Sequence, residues 1–209
     1  MLRILLLSWS LVNHANAQDI WKEYRHRPRS EFKQYLVNLG RDSLLRIAIH
    51  EAVRQYPDFD PAVFPYVHVT ETNSGVHVSF EMAIRFVRYQ KQGYYDFHIN
   101  LLRRSLGTNV LGDASAGTKP AFFKWDEESR KAVRTALHLE RSVLPDTLSY
   151  PDGQQVTIID QGDQYLVNRE ARSGSFESYR LDKKTGKISE HLHGDAGPEA
   201  APVGREIQP

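Results

Sequence analysis

Three histidines and several possible partner side chains recur along three predicted strands, at spacings that would place them on one face of a sheet. Strands alternate their side chains between faces, so residues two apart point the same way. The positions are His68, His77, Glu81, Arg85, His98 and Asn100. Imidazole, carboxylate and guanidinium groups gathered on one face could bind an anion, a metal ion or a protein partner. The sequence also leaves open an ordinary solvated face, because half-buried strands point polar residues outward anyway.

The strands that would carry these residues are predicted from alternation. Apolar residues fall at every second position from Val76 to Phe86 and again from Tyr95 to Leu101, which is typical of half-buried strands. Lys91-Gln92-Gly93 is a turn signal between them. The predicted pairs are then Phe86 with Phe97, Ile84 with Ile99, and Met82 with Leu101. This register places Arg85 opposite His98.

The chain lacks the motifs of common catalytic centres. It contains no cysteine, which excludes thiol nucleophiles and disulfides. Zinc-protease, nucleophile-elbow and phosphate-loop motifs are also missing from the sequence. We therefore predict no catalytic residue, no metal site and no cofactor. The alternative is a small enzyme of a cone-shaped α+β fold, with His68 or His98 as general base beside Glu81 or Asp96.

The beginning of the chain predicts export. Met1–Ala17 has a basic start, a short apolar run and Ala15-Asn16-Ala17 at signal-peptidase spacing, the layout of a secretory signal peptide. Removing Arg3 with this segment leaves equal numbers of basic and acidic residues, which argues against a dedicated nucleic-acid-binding protein. No later segment has the roughly 20 apolar residues of a membrane span. We expect an exported protein, periplasmic or secreted.

Helical and strand patterns alternate along the rest of the chain. Helices are predicted from Ser30, from near Asp42 and from the N-cap Asp126, each followed by alternating strands. The fold class is therefore α+β, with helices packed on curled antiparallel sheets, as one domain or as two αβββ units. The predicted segments are an arm at 18–29, a first unit at 30–105, a linker or loop at 106–120, a second unit at 121–193 and a disordered tail at 194–209.

The stretch Tyr179–Ile188, with Leu181-Asp182 and Thr185-Gly186 inside it, resembles the last hairpin of PepSY-type and related cystatin-like exported domains. The resemblance covers at most residues 126–193. It implies a helix before a small antiparallel sheet, and a role in binding, inhibiting or chaperoning other proteins rather than in catalysis. The glycine of the cystatin Gln-x-Val-x-Gly hairpin is missing after Gln155-Val156, so papain-type inhibition is not implied.

The functional prediction follows from export, missing catalytic motifs and the polar sheet face. We expect an exported, non-catalytic binding or inhibitor module that acts on another extracytoplasmic protein, without nucleic acid and without a membrane span. Besides the enzyme described above, a structural subunit of an envelope assembly remains an alternative. The sequence leaves the oligomeric state open.

Overall fold

The computed structural model describes residues 20–22, 24–117, 119–148, 154–171, 174–195 and 205–207. The predicted signal peptide lies outside these residues. Among these residues, the helices whose two ends are both described are α1 (Arg29–Asn38), α2 (Arg41–Gln55) and α3 (Glu127–Ala136), with 3-10 turns at Pro61–Val63, Ala114–Ala116 and Pro145–Thr147. The strands are β1 (Tyr66–Thr72), β2 (Gly75–Glu81), β3 (Ile84–Val87), β4 (Gln92–Asn100), β5 (Ser105–Gly112), β6 (Ala121–Phe122), β7 (Gln155–Asp160), β8 (Gln164–Glu170), β9 (Ser175–Asp182), β10 (Ile188–Asp195) and β11 (Arg205–Glu206).

The strands of the described residues form two sheets, and the fold is mixed α+β as predicted. Sheet A has the order β11-β1-β2-β4-β5 and is antiparallel, with β6 added parallel to β4. Sheet B has the order β10-β9-β8-β7-β3 and is antiparallel except for the parallel pair β3 and β7. Because β3 follows β2 directly along the chain, the two sheets are covalently joined at this point.

One continuous apolar core lies between the helices and the inner faces of the sheets. Phe80 and Phe97 stack at 4.6 Å between ring centroids, and Phe59 packs edge-on against both. On sheet B the Tyr179 hydroxyl donates to the carbonyl of Ala136 at the end of α3. The buried set comes from both halves of the chain, so the two segments predicted as units share a single core.

The cap of α3 is confirmed. The Asp126 side chain accepts a hydrogen bond from the Ser129 amide at 2.8 Å, and the Ser129 hydroxyl accepts one from the Asp126 amide at 3.0 Å. This reciprocal arrangement satisfies two backbone donors at the first turn. The Asp126 carboxylate also accepts from Arg88 at 2.6 Å. Hydrogen bonds from Arg88 and from Ser129 hold the pKa of this carboxyl far below its ordinary value.

The predicted hairpin register is wrong. The chain leaves sheet A at Met82 and Ala83, and the next four residues form β3 in sheet B. Phe97 therefore pairs with Phe80 rather than Phe86, a shift of six residues. A shift by an even number of residues keeps every side chain on its predicted face. The assignment of residues to the polar and apolar faces is therefore unchanged. Arg85, however, no longer lies opposite His98.

Two predicted segment boundaries also differ from the structure. Residues 106–112, predicted as the start of a linker or loop, belong to the edge strand β5, which pairs with β4. Its glycine and asparagine content gives low strand propensity, but pairing needs only backbone groups. Arg205–Glu206, inside the predicted disordered tail, pairs with β1.

The N-terminal arm packs against the core beside a buried ion cluster. The Trp21 indole donates to the carbonyl of Leu101 at 3.0 Å, and the Arg104 guanidinium lies 4.5 Å from the centre of the Trp21 ring. Arg104 also donates two hydrogen bonds, at 2.8 and 2.7 Å, to the fully buried carboxylate of Glu51 on α2. Arg54 donates to the same carboxylate at 3.1 Å. This cluster fixes α2, the arm and the β4–β5 turn to one another.

Candidate functional site

The outer face of sheet A presents three rows of side chains that cross four strands. Directly paired residues of antiparallel strands lie on the same face, and β1, β2, β4 and β5 are paired in register here. The rows are Thr70–His77–Asn100–Ser105, His68–Ser79–His98–Gly107 and Tyr66–Glu81–Asp96–Asn109. We call this set the polar face. The intervening residues, among them Val69, Val78 and Phe97, are buried in the core on the opposite side.

His77 lies in a small hydrogen-bonded cluster on the polar face. The Asn100 side-chain oxygen accepts from the Arg103 amide at 3.0 Å, and its nitrogen donates to the carbonyl of Ser74 at 3.3 Å. This orientation aims the amide nitrogen of Asn100 at His77 Nε2, 3.3 Å away. Nε2 must therefore accept the hydrogen bond, which requires the neutral ring with its proton on Nδ1.

The electrostatic surroundings of His77 favour the same neutral form. Burial lowers the pKa of His77 below its ordinary value, and the nearby charges of His98 and Arg103 lower it further. The Ser74 hydroxyl lies 3.0 Å from His77 Nε2. The ring is thus held as an acceptor rather than as a cation.

His98 is the most exposed histidine of the polar face, and the fold gives its ring a defined place. A β-carbon built onto Gly107, its partner on β5, would lie 2.3 Å from the Cε1 atom of His98. The imidazole therefore occupies the space that any larger side chain at position 107 would take. The centres of the His77 and His98 rings are 6.3 Å apart. The two rings could contact the same ligand.

Glu81 and Asp96 connect the polar face to sheet B. Arg85 on β3 forms an ion pair with Asp96 at 2.5 Å and donates to the side-chain oxygen of Gln155 on β7 at 2.7 Å. Gln155 in turn donates to Glu81 at 3.2 Å. The other oxygen of Asp96 accepts from the Met82 amide at 3.4 Å. We call this network the sheet junction.

The balance of charges at the sheet junction differs from that around His77. Burial raises the pKa of Asp96 above its ordinary value despite the attraction of Arg85, and the neighbouring charge of Glu81 raises it further. Both Asp96 oxygens are engaged by Arg85 and by the backbone, so its carboxylate does not orient a histidine. The arrangement stabilises the junction between the sheets rather than forming a His–carboxylate pair.

His68 lies on β1 at the edge of the polar face, one strand away from His77 on β2 and two strands away from His98 on β4. It belongs to the same row as Ser79 and His98. Its Nδ1 is 3.6 Å from the Glu206 carboxylate on β11. The C-terminal strand therefore reaches the border of the polar face.

The structure thus brings together most, but not all, of the predicted site. His77, His98 and Asn100 are neighbours, His68 lies at the border, and Glu81 shares the face while also joining the sheet junction. Arg85 belongs to the junction and not to the histidine rows. Sequence reasoning missed the roles of Gln155 and Gly107. Three consecutive apolar residues, Met82-Ala83-Ile84, interrupt the alternation and were the available signal for the strand break.

Other concave and polar regions lie away from the polar face. A groove of about 750 Å3 follows α3 and is lined mainly by basic residues, including Lys131, Arg134 and Arg141. A cavity of about 390 Å3 lies between the ends of β3, β5 and β7. Among the described residues, no group of three or more histidine, aspartate or glutamate side chains is placed to hold a metal ion.

Comparisons provide no relative from which a role could be transferred. Across the described part of the chain, no helix combines the length and apolar character needed to cross a membrane. Comparison of the chain with protein-family models, with curated proteins and with solved structures gives no match.

Proposed function

We propose that this protein is an exported, non-catalytic module that binds or inhibits another extracytoplasmic protein through the polar face. The observation that carries the proposal is the register of the three rows. It sets a neutral acceptor histidine, His77, beside the exposed His98 on a regular four-strand surface. The donors and acceptors of such a surface are already fixed by the sheet. Binding a partner there does not cost the conformational entropy that ordering a flexible loop would cost.

The engagement of the carboxylates favours binding over catalysis. A general base needs a histidine or carboxylate free to reach a reacting proton. Asp96 is held by Arg85 and the Met82 amide, and Glu81 accepts from Gln155. The described contacts therefore support a binding surface more directly than the small enzyme considered as the alternative.

We further propose that residues 126–193 form a cystatin-like or PepSY-like unit. The order α3 followed by the antiparallel strands β7 to β10 fits this description. In the last hairpin the Asp182 carboxylate accepts from the amides of Lys184 and Thr185, and Gly186 has a φ of 68°. These contacts account for the Asp-x-x-Thr-Gly turn on which the resemblance rests, and they support it without requiring common ancestry.

Affinity capture with matched variants tests the proposal. The mature chain, residues 18–209, is used to capture proteins from the extracytoplasmic fraction of the cells that make it. We expect a discrete protein that binds the unmodified chain and is lost with the Ser79→Ala, His98→Ala double variant. The control is Asn168→Ala with Ser178→Ala, which removes a hydrogen-bonded polar pair from sheet B. Equal capture by the face variant and the control would assign binding to another surface.

A further inference from the structure

The outer edge of β1 holds a short strand supplied by the C-terminal end of the chain. Glu206 pairs with Thr70 and Arg205 with Glu71 in an antiparallel register. The amide of Ile207 donates to the carbonyl of Val69 at 2.7 Å, and its side chain packs against the core. A segment of three residues thus completes the edge of sheet A.

Each side chain of this segment has a complementary contact. Arg205 donates to the Glu71 carboxylate at 2.9 Å, and the other oxygen of that carboxylate pairs with Lys33, also at 2.9 Å. Glu206 approaches His68 of the polar face. The edge therefore recognises a basic residue, an acidic residue and a branched apolar residue in succession.

The site has a defined end. Backbone groups of alternate residues in a strand point to the same side, so the carbonyls of Val67 and Val69 both face the outer edge of β1. Arg41 donates from Nη2 to the Val67 carbonyl at 3.1 Å. This side chain closes the edge just beyond Ile207, and among the described residues no strand other than β11 pairs there.

Two of the three side chains of this segment are largely exposed. The side chain of Arg205 is 76% exposed and that of Glu206 is 51% exposed. β11 follows β10 in the same chain, so its pairing with β1 is intramolecular. A short tether holds a segment at an effective concentration on the order of millimolar, against which any external strand must compete.

We propose that the edge of β1 is a binding site for an extended segment of a protein partner. That segment would carry the same order of basic, acidic and branched apolar residues, and residues 205–207 occupy the site until it displaces them. The proposal rests on the proposed function, because a strand added here would place the partner beside His68 and the polar face. The partner strand can bind only those molecules whose site is empty. Its apparent affinity is therefore its intrinsic affinity multiplied by the fraction of empty sites.

Releasing the internal strand in the full chain tests this directly. The probe is a fluorescent peptide of residues 200–209, and binding is measured by anisotropy. Ile207→Asp removes the apolar contact of the internal strand, so this variant should bind the peptide at least about tenfold more tightly than the unmodified chain does. Ile207→Ser is a milder variant that also weakens the pairing of the internal strand. It should likewise bind the peptide more tightly than the unmodified chain, and it replaces Ile207→Asp if that variant folds poorly. Equal affinities, or no binding to either release variant, would overturn the proposal.

A charge reversal identifies the site of peptide binding. In the Ile207→Asp chain, adding Glu71→Lys should weaken binding of the natural peptide and strengthen binding of a peptide carrying Arg205→Glu. Glu170→Lys makes the same charge change on β8 and should not alter the affinity for either peptide. If Glu71→Lys has no effect on either peptide, the peptide does not bind at the edge of β1.

Two further outcomes distinguish the edge-site proposal from the proposed function of the polar face and from self-association of the chain. The Ser79→Ala, His98→Ala variant should keep its affinity for the peptide, so loss of the proposed function alone would leave the edge site standing. If the unmodified chain instead forms a concentration-dependent dimer that Ile207→Asp abolishes, the occupant is a second copy of the chain. That result would overturn the assignment to a different protein partner.

Discussion

Replacing Glu51 with glutamine removes the charge from a fully buried carboxylate while keeping its shape. Glu51 accepts from Arg104 twice and from Arg54 once. Breaking a buried ion pair by removing one partner costs about 3–5 kcal/mol. Here the arginine side chains are 32% and 44% exposed and can regain water, and glutamine keeps one acceptor oxygen. We therefore expect the free energy of unfolding at pH 7 to fall by about 2–3 kcal/mol.

The pH dependence of this loss follows from the pKa of Glu51. Burial alone would raise this pKa, but hydrogen bonds from Arg104 and Arg54 outweigh burial and hold it below its ordinary value of 4.5. A carboxyl with a lower pKa in the folded state stabilises fully above its unfolded pKa. That stabilisation disappears as the pH falls through the folded pKa. The difference between the two proteins should accordingly shrink in strong acid.

Urea unfolding followed by circular dichroism measures the effect. Glu170→Gln, an exposed carboxylate on β8, is the matched control and should change the free energy of unfolding by less than about 0.5 kcal/mol. A double-mutant cycle with Arg104→Met measures the coupling between residues 51 and 104, because it subtracts the effect that each substitution has alone. A change for Glu51→Gln no larger than that of the control would refute the reasoning about the cluster.

Three further perturbations address the polar face and the sheet junction. Gly107→Ala should displace the His98 ring and lower the free energy of unfolding by less than about 1 kcal/mol, as measured by urea unfolding. The same substitution should have no effect in a chain that carries His98→Ala. A loss of stability in that chain would contradict the packing of His98 against Gly107. In NMR titration His77 should protonate below pH 6.5 and carry its proton on Nδ1. Its lowered pKa makes the folded state lose stability as the pH falls below 6.5, and a pKa at or above that value would contradict the proposed cluster. Arg85→Met should lower the free energy of unfolding at pH 7 by about 3 kcal/mol, because it leaves the buried carboxyl of Asp96 without its cationic partner. Urea unfolding should show this loss shrinking as Asp96 becomes protonated at lower pH, and a constant loss would argue against the ion pair.

Alternation along the strands was sufficient to predict which side chains lie on the polar face. His77, Ser79 and Glu81 alternate with buried Val76, Val78 and Phe80, and this division depends only on the two-residue period of a strand. Apolar residues keep this two-residue spacing at Met82 and Ile84, although the chain changes sheets there and Ala83 between them is apolar as well. Periodicity gives the face of a residue but carries no information on which sheet its strand joins.

Contacts distant in sequence account for most of what the sequence did not predict. Arg85 and Gln155 meet only because β3 pairs with β7, and no local pattern indicates that pairing. The strand β5 was missed because glycine, serine and asparagine favour loops, while its pairing with β4 is made by the backbone. The contact of Arg205 with Glu71 likewise depends on the return of the chain to sheet A.

Histidine labelling of the captured complex tests the central claim most directly. Diethyl pyrocarbonate modifies accessible neutral imidazoles, and mass spectrometry reports the extent at each histidine. In the free protein His98, which is exposed, should react faster than the hydrogen-bonded His77. In the complex His98 should be protected while His191, which is 52% exposed on β10, reacts as before. Unchanged reactivity of His98 alongside protection of His191 would contradict the assignment of binding to the polar face.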